Sequence, residues 1–297
     1  MQKKEFDKYL KAGKILKEVQ DNARKKAKIG MKLLDLAELI EKQTTDLEAG
    51  IAFPANLSPN NITAHYTPSF EDKTEIEEKD VLKIDIGVHI DGFIADSSFT
   101  VDFSEENGKL VEASEQALEN ALSVIEIGTP LGKIGEEIEK TITSFGFKPV
   151  HNLTGHGLMQ YIAHASPAIP NIAKTDSRKI EEGKAYAIEP FSSTGIGRVK
   201  EGIKTEIFEF SKAIPLRNLD ARKIQEKAAE EFNGLPFAER WLIKEFGETK
   251  TKIALRELLI KGSIKAHPVL KEDNGVLVSQ SENTIIAFEG NIHTTIK

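Results

Sequence analysis

Five short stretches carry side chains able to do chemistry together. They are Lys83-Ile84-Asp85-Ile86-Gly87, Ala95-Asp96, Gly155-His156-Gly157, Ala187-Ile188-Glu189 and Gln280-Ser281-Glu282. Asp91-Gly92 lies between two apolar runs, a strong two-residue hairpin signal. A turn there pairs Ile90 with Phe93, Gly87 with Asp96, and Asp85 with Ser98. Alternation then puts Asp85, Gly87, Asp96 and Ser98 on one face, with the two carboxylates as diagonal neighbours, Cβ atoms no more than about 7–8 Å apart. Carboxylates held that close repel and raise one another's pKa, and a cation between them removes the penalty. The competing reading of this segment alone is the solvated outer face of an edge hairpin.

Glu189 ends a strand whose same-face neighbours, Ala185 and Ala187, are small, and Pro190 holds it extended. The glycines flanking His156 leave its imidazole accessible. His164 and His65 are further candidates, whereas His89, His151 and His293 read as ordinary structural or surface residues, with His89 exposed at the entry to the turn. Glu282 opens the apolar run Ile285-Ile286-Ala287-Phe288. Three or four carboxylates with one to three imidazoles form a hard oxygen and nitrogen donor set, suited to Mn²⁺, Fe²⁺, Co²⁺ or Zn²⁺. Four carboxylates carry enough charge for two divalent ions and a hydroxide between them.

An internal echo indicates how these residues are positioned. Ile29-Gly30-Met31-Lys32-Leu33 leads into one amphipathic helix, and Ile127-Gly128-Thr129-Pro130-Leu131 leads into another. Ile76-Glu77-Glu78 precedes Ile84-Asp85 at the spacing by which Ile180-Glu181-Glu182 precedes Ile188-Glu189. The order helix, helix, strand occurs twice, so Asp85 and Glu189 are expected to face each other across a pseudo-dyad. Helices are predicted at 5–26, 33–47, 107–126 and 130–145, and strands at 81–90, 93–103, 184–189, 203–210 and 276–288. Phe6, Leu10, Ile15, Leu16 and Val19 form one stripe of the first helix. Between the last two strands, helical segments near 218–232, 237–246 and 249–261 read as an insertion, the first with Leu219, Ile224, Ala228 and Phe232 on its apolar face. The expected organisation is α+β: a catalytic domain of residues 1–211 and 263–297, with a helical subdomain at 212–262.

Composition narrows the chemistry. The 297 residues include no cysteine, which excludes disulfides, thiolate zinc sites, iron–sulfur clusters and a cysteine nucleophile. A net charge of −7 argues against a sequence-specific nucleic-acid binder. The first residues hold no apolar core of signal-peptide length, and no run approaches the roughly 18 apolar residues needed to span a bilayer. A cytoplasmic protein with no membrane partner is expected.

The combined residues resemble a known family. Asp85, Asp96, His156, Glu189 and Glu282, in that order, are similar to the five-ligand dimetal set of the methionine aminopeptidase and prolidase fold, the pita-bread fold. Ala52-Phe53-Pro54, Asn60-Asn61, Ala64-His65-Tyr66-Thr67-Pro68, Asn152-Leu153-Thr154-Gly155-His156 and Ser192-Ser193-Thr194-Gly195 resemble type II methionine aminopeptidases, as does the insertion with Arg240-Trp241. The short N-terminus resembles the archaeal form.

The resemblance implies a pseudo-twofold fold and a metallo-exopeptidase removing initiator methionine from nascent chains, with a small second residue preferred and a dimetal-activated hydroxide. It implies that Asp85 and Asp96 chelate one metal, that Asp96 and Glu282 bridge both, and that His156 and Glu189 complete the second. Glu189 then also shuttles a proton, His65 and His164 assist at the substrate, and Phe53 shapes the methionine pocket. His267 matches a position where some relatives have Tyr, and Ala163 one with a bulkier aliphatic residue. The metals are two divalent ions among Co, Mn, Fe and Zn. The family precedent is monomeric and compatible with ribosome association. The alternatives are an Xaa-Pro peptidase of the same fold and a non-catalytic relative that binds ribosomes or RNA.

Overall fold

Phe6, Tyr9, Ala12, Leu16, Val19 and Ala23 recur at intervals of three or four, and α1 (Lys3–Lys26) buries that stripe. Leu10, placed on the stripe by the sequence pattern, lies at its half-buried margin. Leu33, Leu36, Ala37 and Ile40 do the same for α2 (Leu33–Asp46). Both helices share a core with an antiparallel sheet of β1 (Gly50–Pro59), β3 (Val81–Ile90) and β4 (Phe93–Asp102), ordered β1-β3-β4, with β2 (Ile62–Ala64) outside it. The structure, a computed structural model, describes residues 1–296. Each Leu or Val buried under the helices contributes about 1.5–3 kcal/mol. The hairpin register is the predicted one, Ile90 opposite Phe93, Gly87 opposite Asp96 and Asp85 opposite Ser98. Its turn is set by positive φ at Asp91 (50°) and Gly92 (83°).

The second half repeats the plan. The helices α3 (Gly108–Ser123) and α4 (Leu131–Ser144) lead into β5 (Lys148–Pro149), β6 (Thr154–Met159), β7 (Ile162–Pro170), β8 (Ala185–Ile188), β9 (Phe191–Ser193) and β10 (Lys200–Phe210). After α5 (Leu219–Glu230), β11 (Phe237–Ala238), α6 (Glu239–Phe246) and α7 (Glu248–Ile260) come β12 (Ile264–Lys271), β13 (Val278–Gln280), β14 (Asn283–Phe288) and β15 (Asn291–Thr294). The five-stranded sheet β15-β14-β8-β6-β7 supplies core residues beside α3 and α4.

The sequence echo corresponds to a repeated set of hydrogen bonds. In the first half, Gly30 N–H donates to Ile76 O (2.8 Å), Leu33 N–H to Thr74 O (2.9 Å) and Ile76 N–H to Met31 O (2.9 Å). In the second, Gly128 donates to Ile180 O (2.8 Å), Leu131 to Arg178 O (2.8 Å) and Ile180 to Thr129 O (3.0 Å). The two echoed blocks therefore bind each other in each half. Gly30 and Gly128 both take the left-handed φ that glycine adopts freely, 81° and 92°.

A polar seam joins the halves. Thr284 Oγ1 accepts from Asp96 N–H (2.8 Å) and donates to Asp96 O (2.9 Å). Ser97 Oγ donates to Glu282 O, Glu282 N–H donates to Ser98 O (3.1 Å), and Thr100 Oγ1 donates to Gln280 O (2.8 Å). These bonds lock β4 to the β13–β14 segment and so fix Asp96 beside Glu282. The single strand expected at 276–288 is broken at Ser281-Glu282 because the backbone there turns aside to make these bonds.

The segment between β10 and β12 holds the three expected helices, and its core includes Phe208 of β10 and Ile264 of β12, so it shares apolar packing with those two strands. Leu219, expected on the apolar face of its helix, is 63% exposed. It is the first residue of α5, and Asn218, which caps that helix by accepting from Asp220 and Ala221 N–H, turns the first position outward. Ala221 takes the inward place. The sheet β11-β10-β12-β2 brings Leu270 opposite Ala64, which carries His65 to the side of β12.

Thr284→Val keeps the side-chain volume but strands the N–H and C=O of Asp96. Denaturant unfolding of the metal-free protein should show a loss of about 2–4 kcal/mol, with Thr284→Ser close to wild type.

Candidate active site

The hairpin brings Asp85 from β3 and Asp96 from β4 to one face. His156 on β6 pairs with Ala187 on β8, so Glu189, just past the end of β8, reaches the same space. His156 Nε2 lies 3.8 Å from Asp96 Oδ2 and 3.7 Å from Glu189 Oε1. Asp96, His156 and Glu282 each present a ligand atom within 4.8 Å of the others. His156 Nδ1 sits 3.2 Å from Gly157 O. A carbonyl can only accept, so Nδ1 carries the proton and Nε2 faces the carboxylates as a lone pair, the tautomer a metal ligand needs.

Electrostatics mark the cluster as incomplete by itself. Burial pushes the Asp85 carboxyl up to about 7. Burial, then the charges of Asp85 and Glu189, holds Asp96 well above the usual carboxylate range. Glu189 is raised by burial and then Asp85, and Glu282 by burial and then Asp96, Asp85 and Glu189. Burial lowers His156 to about 4. Asp85 Oδ1 and Asp96 Oδ1 are buried without a hydrogen-bond partner. Orphaned carboxylate oxygens beside a neutral imidazole fit divalent cations in both charge and donor type.

These groups line one end of a cavity of about 550 Å³. Phe53, His65, His164 and His267 also line it. The rings of His65, His164 and His267 lie 5.6–6.3 Å apart, centroid to centroid. His65 has φ +61°, an uncommon conformation for a side-chain-bearing residue. Burial, then His164 and His267, lowers its pKa to about 3. His164 opens onto the cavity while protein surrounds the rest of its ring. That enclosure, then His156 and His267, holds it below the usual range.

Phe53 pairs with Gly87, and its ring lies over that glycine: a Cβ there would fall 2.2 Å from Phe53 Cε1. The gap that Gly87 leaves beside Asp96 is thus filled by the pocket's aromatic wall. Ala163 does not line the cavity. It lies buried behind it in the cluster that contains Phe53 and Leu158. His89, expected to be exposed, is half-buried because its Nδ1 accepts the turn's Gly92 N–H (3.1 Å).

Two site residues were not singled out from sequence. Gln280 is buried, and its amide lies 3.5 Å from both Glu189 Oε2 and Glu282 Oε2. Its place two residues before Glu282, on one face of the single strand expected at 276–288, was the available signal. Glu209 accepts from His267 Nε2 (2.9 Å), a pairing across β10 and β12 that no local pattern announces.

Comparison with known proteins agrees with this geometry. The sequence pattern of metallopeptidase family M24 matches residues 7–211. The methionine aminopeptidase of Pyrococcus abyssi is 46% identical over 98% of this chain and 99% of its own. That of Archaeoglobus fulgidus is 43% identical over 98% of each chain. The crystal structure of the Thermotoga maritima methionine aminopeptidase superposes with a TM-score of 0.72 at 20% identity, over 99% of this chain and 97% of that one, a likeness of fold. The chain belongs to metallopeptidase family M24 and, within it, to the methionine aminopeptidases of archaeal type. It is a divalent-metal hydrolase with the pita-bread fold, and its activity is removal of N-terminal methionine. Among the described residues, no helix is long and apolar enough to cross a membrane.

Glu282→Gln removes one charge from the crowded set while keeping its shape. The metal-free variant should melt higher than metal-free wild type, by about 1 kcal/mol. The stabilisation that added Mn²⁺ or Co²⁺ gives wild type should shrink. Thermal melts with and without chelator read both effects.

Proposed function

We propose that the chain removes initiator methionine from nascent polypeptides in the cytoplasm, preferring a small second residue, with two divalent ions held by Asp85, Asp96, His156, Glu189 and Glu282. The observation that carries this reading is the buried carboxylate set with orphaned oxygens lining a cavity bordered by Phe53. In the proposed arrangement Asp85, Asp96, His156, Glu189 and Glu282 together would hold the two ions. When bound, two such ions supply Lewis acidity and a hydroxide at neutral pH.

The remaining work falls to the side chains. Glu189, which lines the cavity, passes a proton to the leaving amide. His164 donates toward the scissile carbonyl as charge builds on its oxygen. His65 orients the substrate backbone, and Phe53 with His267 bounds the methionine side chain. Three imidazoles crowded near the cleavage point leave little room for a large second residue. Ala163, packed behind Phe53, sets how far that ring can retreat. The proposal includes a monomeric protein and is compatible with ribosome association, which sizing and cosedimentation test.

Metal-free protein reconstituted with Mn²⁺, Fe²⁺, Co²⁺ or Zn²⁺ in turn should cleave Met-Ala-Ser faster than Xaa-Pro dipeptides. The reverse preference would move it to the proline-directed reading. Glu189→Gln should lower turnover roughly 10²–10⁴-fold, and His156→Ala should abolish it, with far-UV circular dichroism unchanged. Full activity in either variant would overturn the proposal.

A further inference from the structure

Arg240, on the inserted helix α6, is the largest fully buried side chain among the described residues, at 1% exposure. Its Nη2 pairs with Glu41 Oε1 of α2, and its Nη1 donates to Thr67 Oγ1 (2.7 Å) and Pro68 O (3.1 Å). Glu41 is likewise buried, accepts Trp241 Nε1–H on its other oxygen (2.9 Å), and accepts Ala55 N–H on Oε1 (3.3 Å). Thr67 Oγ1 donates onward to Ala55 O (2.8 Å). The N–H of Ala55 is therefore held by Glu41 and its C=O by Thr67, while Arg240 bonds both of these side chains.

Both backbones held this way are walls of the cavity. Ala55 lies between Phe53 and Asn56, which line it, and Thr67 lies two residues beyond His65, which also lines it. Leu57 N–H donates to Tyr66 O (2.7 Å), so the two walls are bonded to each other between these anchor points. His65 keeps an uncommon positive φ, which persists only where its surroundings over-determine it. A buried ion pair contributes little net stability, because desolvation offsets attraction. Here Arg240 Nε is also left without a partner. What a planar guanidinium supplies, and an ammonium does not, is several donors at fixed angles.

We infer that Arg240, with Glu41, is a positioning residue that holds His65 in its productive orientation from outside the cavity. The inference rests on the proposed role of His65 in the established reaction. It makes the insertion part of the catalytic apparatus, although none of its helices supplies a metal ligand.

The test is a double-mutant cycle on Met-Ala-Ser cleavage by the metal-loaded protein. Arg240→Lys should lower kcat/KM roughly 10–100-fold, the scale of a misplaced positioning group, with metal bound per chain unchanged. In a His65→Ala background, Arg240→Lys should cost at most about 2-fold, because the group it positions is already gone. Equal fold-losses in both backgrounds, or wild-type activity of folded Arg240→Lys, overturn the inference. His65→Ala with wild-type activity would instead sink the role of His65 itself, and this inference with it. If Arg240→Lys fails to fold, Thr67→Val carries the same cycle, and Thr67→Ser should restore activity; failure of Thr67→Ser to restore it would count against the positioning role.

Discussion

Four carboxyl groups that repel one another share one buried space, and much of the architecture exists to keep them there. In water such groups would separate, and in a soft interior they would rotate toward solvent. Neither escape is open here. Asp85 and Asp96 are fixed by the hairpin register, and Asp96 is fixed again by Thr284, which grips its backbone on both sides. Glu282 is fixed by its own backbone bond to Ser98. The protein thus stores electrostatic strain that protonation or bound cations discharge, a local loss of stability accepted at a functional site.

Duplication explains how that crowding is built. Each half is two helices on an antiparallel sheet, closed by the same bonds between an Ile-Gly turn and an Ile-Glu-Glu segment. One half ends this unit in Asp85 and the other in Glu189, so symmetry brings acidic residues to the junction from both sides. The symmetry is broken where the chemistry needs it. His156 comes from the second half alone, and its Gly157 carbonyl sets the tautomer that leaves Nε2 free.

The parts legible in the sequence were those governed by local rules. A two-residue turn sets register, so Asp91-Gly92 alone fixes which face Asp85, Gly87 and Asp96 share. Helical periodicity located all three inserted helices. Less legible was whatever depends on contacts across long separations. Gly87 looks like a void from sequence, yet Phe53 from β1 fills it. His89 looks exposed at a turn, yet the turn's own N–H captures it. Ala163 reads as a pocket residue by alignment of motifs, yet it packs behind the pocket. Leu219 failed for a local reason, since a capping residue displaces the first helical position outward. Glu209 and Gln280 sit beside site residues only because strands pair as they do.

The site is assembled from two mechanically different parts, and this bears on how it can vary. Asp85, Asp96 and His156 sit on paired strands, with Glu189 just past the end of β8 and Glu282 in the break between β13 and β14; a one-residue slip of β3 against β4 would turn one aspartate away from the other. The pocket walls at His65, Glu209 and His267 belong instead to β10, β12 and the segment after β2, with bulges on both sides of Thr205 and a break in pairing near Leu270. A bulge bends its strand and re-aims the side chains beside it. Because β10 and β12 belong to a different sheet from β3 and β4 and from β6 and β8, the residues they present to the cavity can change without shifting those strands. Glu209 and His267 illustrate this separation: they pair across two adjacent strands, apart from the buried carboxylate set.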